Sequence, residues 1–213
     1  MNAERMWDRF ASRWDTPGVS LGVNDIRLID RAKKYLDTDS VVLDYGCATG
    51  TIAMEIAKGV KRVQGIDFSS RMIDIAKKKA DEYKIKNVDF THSTIFSEKL
   101  GKESFDVVLA FSVLHLVKDS PHVLKKINSI LKPGGFFIST TPCMGEKAFY
   151  SLFVGIPVFL LSKIGILPHV NFVSVSMLKD LITEERFQVI ESVSLSVRPV
   201  TEVFIVARKA LAT

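Results

Sequence analysis

At 213 residues, 47% hydrophobic and 25% charged, the chain is long enough to bury one sizeable core without covalent staples. Its two cysteines, Cys47 and Cys143, exclude a disulfide framework and a four-cysteine zinc site. The net charge of +5 comes from lysines scattered over solvated helix faces, with no long basic run or interleaved aromatic patch, which argues against nucleic acid as a partner.

The N-terminal stretch MNAERMWDRF lacks the apolar core of a signal peptide, so a cytoplasmic, reduced protein is expected. Residues 1–30 read as an N-terminal helical cap in which Trp7, Phe10 and Trp14 stand at near-helical spacing, placed to close over a site. From residue 40 strands and helices alternate: strand 40–45, helix 50–59, strand 60–67, helix 69–84, strand 87–93 and strand 104–111. A helix then opens with Pro121 in its first turn, capped by Asp119 or Ser120, and the KPGG run at 132–135 stops it before a strand at 135–142. Residues 142–173 form an apolar insertion. A short amphipathic helix follows at 174–187, then two strands, 188–197 and 201–209, joined by a tight turn around Arg198 and Pro199. The pattern predicts one α/β domain over 1–213: a doubly wound, Rossmann-like sheet of seven strands, five parallel and then an antiparallel hairpin, with helices on both faces.

In such a sheet the first strand delivers its loop to the carboxyl edge, beside the point where strand order reverses and ligands bind. The loop here is VVLDYGCATG, residues 41–50. Gly46 permits a tight turn, Ala48 keeps the backbone approachable, and Gly50 lets the next helix begin close to the strand, so something flat or extended is expected against this backbone. The second strand ends in Asp67, whose carboxylate can accept hydrogen bonds from both ribose hydroxyls of a nucleoside, each worth about 1.5–3 kcal/mol. Ser69 and Ser70 offer the following helix its cap, which frees Asp67 for that role. An NAD enzyme would use similar parts, but the motif is G-x-A-x-G, Asp44 precedes it directly, and no residues remain for a separate substrate domain.

The ordered set resembles the class I S-adenosylmethionine-dependent methyltransferases, in the small-molecule group that includes the ubiquinone and menaquinone C-methyltransferases. VLDYGCATG is similar to that family's first motif and GIDFSSRMIDIAK to its second, while FDVVLAFSVLHLV and LKPGGFFIST are similar to its fourth and fifth. The resemblance implies S-adenosylmethionine as cofactor and S-adenosylhomocysteine as product. It places Asp44, Gly46 and Gly50, with Cys47 between them, along the methionine moiety and ribose, and Asp67 on the ribose hydroxyls. Phe68 and Met72 would sandwich the adenine with Ile95, and the backbone at Ala110 and Phe111 would meet the cofactor's amino group. Three positions depart from the family pattern. Thr94 stands where an acid usually bonds the adenine, Tyr45 replaces a smaller residue, and Ala48 replaces a glycine, which a negative φ at that position would tolerate.

Methyl transfer from a sulfonium is a direct displacement that needs alignment more than a catalytic side chain. His115, after the fourth strand at the carboxyl edge, is the candidate base; a histidine that only bonds a loop is the competing reading. His92, His122 and His169 show no ligand spacing, so no metal is expected. Cys47 reads as a small hydrophobe rather than a nucleophile. The run AFYSLFVGIPVFLLSKIGIL, 148–167, is long enough for a membrane span, but it joins two strands of one sheet and contains Gly155 and Pro157. Phe149, Tyr150, Phe153, Phe159 and Leu160 therefore either pack on the domain or roof a pocket for an apolar acceptor; peripheral membrane contact and self-association stay open. The leading function is methylation of a small, lipophilic molecule. The alternatives are a protein or RNA methyltransferase, a catalytically silent cofactor-binding protein, and an NAD oxidoreductase.

Overall fold

The computed structural model describes residues 3–14, 23–143, 169–171, 173–197 and 200–211. Continuous aliphatic runs make the strands β1 (Val41–Tyr45), β2 (Arg62–Asp67), β3 (Val88–His92), β4 (Phe105–Phe111) and β5 (Leu131–Cys143), and the last two are β6 (Phe187–Val197) and β7 (Val200–Lys209). They form one seven-stranded sheet in the order β3-β2-β1-β4-β5-β7-β6. The first five are parallel, and β7 lies antiparallel to both β5 and β6. Strand order reverses between β1 and β4, and the register pairs Asp44 with Gly65 on one side and Leu109 on the other. The carboxyl ends of β1, β2 and β4 thus reach the sheet's edge together, at the switch point where a doubly wound sheet binds ligands.

Both faces of the sheet are covered, which is why its central strands carry no polar alternation. Val42, Val63, Val107 and Leu109 pack against α2 (Val23–Ala32), α3 (Thr51–Ala57) and α4 (Ser70–Glu82) through Ile29, Ile56 and Ile73. Leu43, Ile66, Val108 and Phe137 meet α5 (Ser120–Ile130) and a helix at Val175–Glu184, here α6, through Leu124, Ile127 and Ile182. Each such fully buried side chain contributes about 1.5–3 kcal/mol. The N-terminal helix α1 (Ala3–Trp14) lies outside these layers, against α4.

The KPGG run behaves differently from the sequence expectation. Helix α5 ends at Ile130, with Leu131 already extended at φ −73° and ψ 139°, and Lys132–Gly135 belong to β5. Lys132 precedes a proline, which disfavours helical backbone. The ladder jumps from Phe105↔Leu131 to Val107↔Phe136, and the extra residues bulge with Gly134 at φ +77°. Lys132 Nζ donates to both Asp106 oxygens at 2.8 and 2.9 Å, and Asp106 also accepts from the Val41 amide at 2.9 Å, so the bulge is tied to two neighbouring strands. Asp119, rather than Ser120, caps α5 by accepting from the His122 amide at 3.1 Å. Of the insertion, residues 144–168 and 172 fall outside the described residues, so Phe149, Tyr150, Phe153, Phe159 and Leu160 do as well, as do Arg198 and Pro199. No helix among the described residues is long and apolar enough to cross a membrane.

Candidate functional site

The turn after β1 is closed by its own backbone. The Gly46 and Cys47 amides donate to the Ile66 carbonyl at 2.9 and 3.1 Å, and the Gly50 amide donates to the Cys47 carbonyl at 2.9 Å. Gly46 and Gly50 sit at φ +75° and +78°, and what forbids side chains there is the protein itself. A Cβ on Gly46 would lie 2.2 Å from Val113 Cγ2, and one on Gly50 would lie 2.4 Å from the Phe90 ring. Phe90 also presses on Gly65, so one aromatic of β3 sits under both the turn and β2. The small residues that suggested a ligand against the backbone are, at these two positions, explained by Val113 and Phe90.

Ala48 does not meet the condition under which its methyl would be tolerated without strain: it is left-handed at φ +46°. That conformation points its amide at Asp67 Oδ2, 3.0 Å away. An L-residue there costs about 1–2 kcal/mol, partly offset by glycine's larger loss of backbone entropy. Ala48→Gly is therefore expected to raise stability by about 0.5–1 kcal/mol in denaturant unfolding, and a loss of stability would refute the strain.

Two acids meet under this turn. Asp44 is 3% exposed and has no hydrogen-bond partner among the described residues; burial, and then the Asp67 charge, push its pKa up to about 7. Asp67 is also raised by burial, opposed by backbone N–H donors from Ser69, Ala48 and Phe68 and by His92. Its two oxygens bridge the two loops of the site, taking Ala48 N on one and Ser69 N on the other at 2.9 Å. Cys47 is buried in the core on the helix α3 side, and burial, with Asp44 and Asp67 adding, holds its thiol well above the usual range. It is protonated and inert at neutral pH.

Phe68, 37% exposed, is the member of the predicted adenine sandwich with an open face, whereas Met72 and Ile95 are buried at 2% and 1%. The Thr94 side chain is exposed beyond the end of β3. Ala110 is buried and Phe111 half-buried at the end of β4, followed by a second left-handed residue, Ser112 at φ +52°. Its amide reaches both the carbonyl and the hydroxyl of Thr140, and its hydroxyl donates to Glu202 at 3.2 Å, so β4, β5 and β7 converge there.

His115 lies in the 3₁₀ turn Leu114–Leu116. Burial lowers its pKa to about 4, and its Nδ1 is buried without a hydrogen-bond partner among the described residues. At neutral pH it is an uncharged imidazole. The turn is locked from the far end of the insertion: the Asn171 amide donates to the His115 carbonyl at 2.6 Å, the Asn171 side chain donates to the Val117 carbonyl, and His169 meets Asn171 Oδ1 at 2.8 Å. Among the described residues no three His, Cys, Asp or Glu side chains converge as a metal site.

The sequence reading missed the contacts of α1. Asp8 accepts from Ser69 Oγ at 2.6 Å and from the Arg71 amide at 3.3 Å. His92 Nε2 lies 2.9 Å from the Phe68 carbonyl and 3.2 Å from Glu4 Oε1. Glu4 and Asp8 stand four apart, the spacing of one helix face, and that spacing is the one signal of them in the sequence. Trp7 packs its ring 6.1 Å from Phe10 and 5.8 Å from Trp14.

A doubly wound sheet with a glycine turn after β1 and an acid at the tip of β2, both at the switch point, defines a nucleoside-cofactor-binding α/β protein. The family model described as a methyltransferase domain matches residues 36–163, and the chain belongs to that family, with the fold of the class I S-adenosylmethionine-dependent methyltransferases. The chain is 28% identical over 138 residues to a ubiquinone biosynthesis O-methyltransferase of Coxiella burnetii, covering 62% of this chain and 56% of that protein. It is 38% identical over 144 residues to a demethylmenaquinone methyltransferase of Lactococcus lactis, covering 63% and 57%. The matches thus span little more than half of either relative. A solved structure of the [4+2]-cyclase SpnF superposes with a TM-score of 0.80 at 18% identity, covering 98% of this chain and 95% of that one. That likeness is one of fold, and a fold that also serves a cyclase leaves the reaction to be argued from the site.

Proposed function

We propose that this chain binds S-adenosylmethionine and transfers its methyl group to a small, lipophilic acceptor. The observation that carries the reading is Asp44: a buried carboxylate with no hydrogen-bond partner among the described residues, beside a second acid, at the carboxyl edge of the switch point. A buried charge is tolerated when something pairs with it, and the group that suits Asp44 beside Asp67 is a cation. S-adenosylmethionine, when bound, supplies an α-ammonium, a sulfonium and a methyl group open to direct displacement. Asp44 meets the positive methionine end, Asp67 takes the ribose hydroxyls with the accepting capacity left beyond its backbone donors, and the open face of Phe68 takes the adenine. The quinone-pathway names of the two relatives support an apolar acceptor, and the apolar run 148–167, beginning five residues after β5 ends at the carboxyl edge, supports it independently.

With the cofactor held by Asp44, Asp67 and Phe68, its methyl group would be open to in-line attack by the acceptor, the leaving electron pair staying on sulfur and the acceptor's proton passing to solvent. The chain's part is alignment and exclusion of water. With its conjugate acid near 4, His115 is too weak a base to drive proton removal at neutral pH. We assign it instead to positioning the turn Leu114–Leu116 beside the acceptor, without proton transfer. The pH–rate profile of His115→Ala is then expected to match the wild type in shape between about pH 6 and 9 while KM rises; loss of an inflection in that window would restore the base role.

The reading is tested by incubating the purified chain with methyl-labelled S-adenosylmethionine and cell extract, then separating lipid, water-soluble and macromolecular fractions. Label in the lipid fraction is the expected result. Label confined to protein or RNA would give the reaction to a macromolecular acceptor, and no label with full cofactor binding would leave a silent binding protein.

A further inference from the structure

The connection from Asp67 to Ser69 joins β2 to α4 and carries the two residues assigned above to the ribose and adenine. It is gripped from outside by α1 at two points. Asp8 takes the hydroxyl proton of Ser69 at 2.6 Å and the Arg71 amide at 3.3 Å. Four residues earlier, Glu4 takes His92 Nε2, which also donates to the Phe68 carbonyl; both neighbours are acceptors, so that nitrogen carries the hydrogen.

Ser69 connects this grip to the site. It is fully buried, its hydroxyl accepts from the Met72 amide at 3.2 Å as the cap of α4, and its own amide donates to Asp67 Oδ1 at 2.9 Å. A hydroxyl that donates to a carboxylate is a stronger acceptor at its own lone pairs, so Asp8 tightens the Ser69 cap. A continuous chain of hydrogen bonds therefore runs from Asp8 through Ser69 to Asp67 and on to the Ala48 amide in the glycine turn. Met6 and Ala11, 6% and 2% exposed, seat the helix beneath these contacts.

We infer that Asp8 is a positioning residue for the cofactor site, setting the geometry of Asp67 and Phe68 through Ser69 and coupling helix α1 to cofactor occupancy. The inference rests on the functional reading above. A purely structural Asp8 would add stability to α4 and leave cofactor affinity alone.

The chain offers a reporter, because both of its tryptophans, Trp7 and Trp14, lie in α1. The full chain is titrated with S-adenosylhomocysteine, binding is read by calorimetry, and acrylamide quenching of tryptophan emission is followed in parallel. Wild type is expected to show quenching that falls with the calorimetric Kd. Asp8→Ala is expected to bind about tenfold more weakly, the scale of one charge-assisted hydrogen bond, with quenching no longer tracking occupancy. Asp8→Asn keeps an oxygen that accepts both bonds and should return the Kd to within about threefold. Ser69→Ala removes the relay while leaving Asp8, so the double variant should bind no worse than the weaker single one. Wild-type affinity in Asp8→Ala, additive losses in the double variant, or a flat quenching signal in a wild type that binds would each overturn the coupling alone. A wild type that binds no S-adenosylhomocysteine overturns the functional reading and this inference with it.

Discussion

Gly50→Ala is expected to abolish measurable cofactor binding, a loss of at least about a hundredfold in Kd, while the chain still folds with a lowered melting temperature. The new methyl would sit at φ +78°, 2.4 and 2.7 Å from two carbons of the Phe90 ring and 3.0 Å from Ala76 Cβ. The left-handed backbone costs an L-residue about 1–2 kcal/mol, and overpacking a filled core adds about 1–3 kcal/mol. Phe90 cannot retreat easily, because it is 3% exposed and also fills the space over Gly65. The strain is relieved by moving the turn, and the turn carries the Ala48 amide that orients Asp67. A second variant separates the two costs. Gly50→Ala with Phe90→Leu should recover part of the melting temperature and part of the affinity, because it removes the clash and leaves the backbone strain. Cofactor affinity in Gly50→Ala within threefold of wild type would show that the turn tolerates displacement and does not define the site.

Asp44→Asn is expected to do opposite things to stability and to binding. Burial, and then the Asp67 charge, raise the folded-state pKa of Asp44 from the usual 3.8 to about 7, so the native chain holds this proton more tightly than the unfolded chain. The sign follows from linkage: the contribution is favourable below the unfolded value and is lost as pH rises through about 7. At pH 8 the cofactor-free wild type therefore carries an uncompensated buried charge whose cost is on the order of 2–4 kcal/mol. The neutral asparagine removes that cost. Its melting temperature should exceed the wild type at pH 8, with the gap closing towards pH 4. Binding runs the other way. A cationic methionine end requires ionised Asp44, so wild-type affinity should fall by up to tenfold per unit as pH drops below about 7, with one proton released on binding. Calorimetry in buffers of different ionisation enthalpy counts that proton: near one at pH 6 and near none at pH 8. In Asp44→Asn the count should be zero throughout and the affinity lower by at least tenfold at pH 8. An asparagine variant that binds as tightly as wild type would remove Asp44 from the site.

The order of strands and helices was legible in the residues because period and punctuation are local. The aliphatic runs at 41–43 and 107–109, the helical stripe of Met72, Ile73, Ala76 and Ala80, and the capping residues Ser69 and Asp119 each act within a few positions of themselves. The parallel order with its closing hairpin follows from that alternation, and the glycine turn with its strand-end acid pointed to one edge of the sheet. The KPGG run failed the local reading because a second strand decided it: Asp106 on β4 binds Lys132, and the sheet absorbs the extra residues as a bulge.

By itself, then, the sequence determined the fold class and the family of the chemistry and pointed to the edge that carries the candidate site, since each depends on short-range spacing. Tertiary structure alone decided which groups in that site interact. Nothing near Gly50 announces Phe90, nothing near Ala48 announces a left-handed backbone bent to reach Asp67, and Asp8 lies 61 residues from the serine it grips. The charge states of Asp44 and His115 were equally beyond spacing, because burial sets them and burial is a property of everything packed around a residue rather than of its neighbours in the chain.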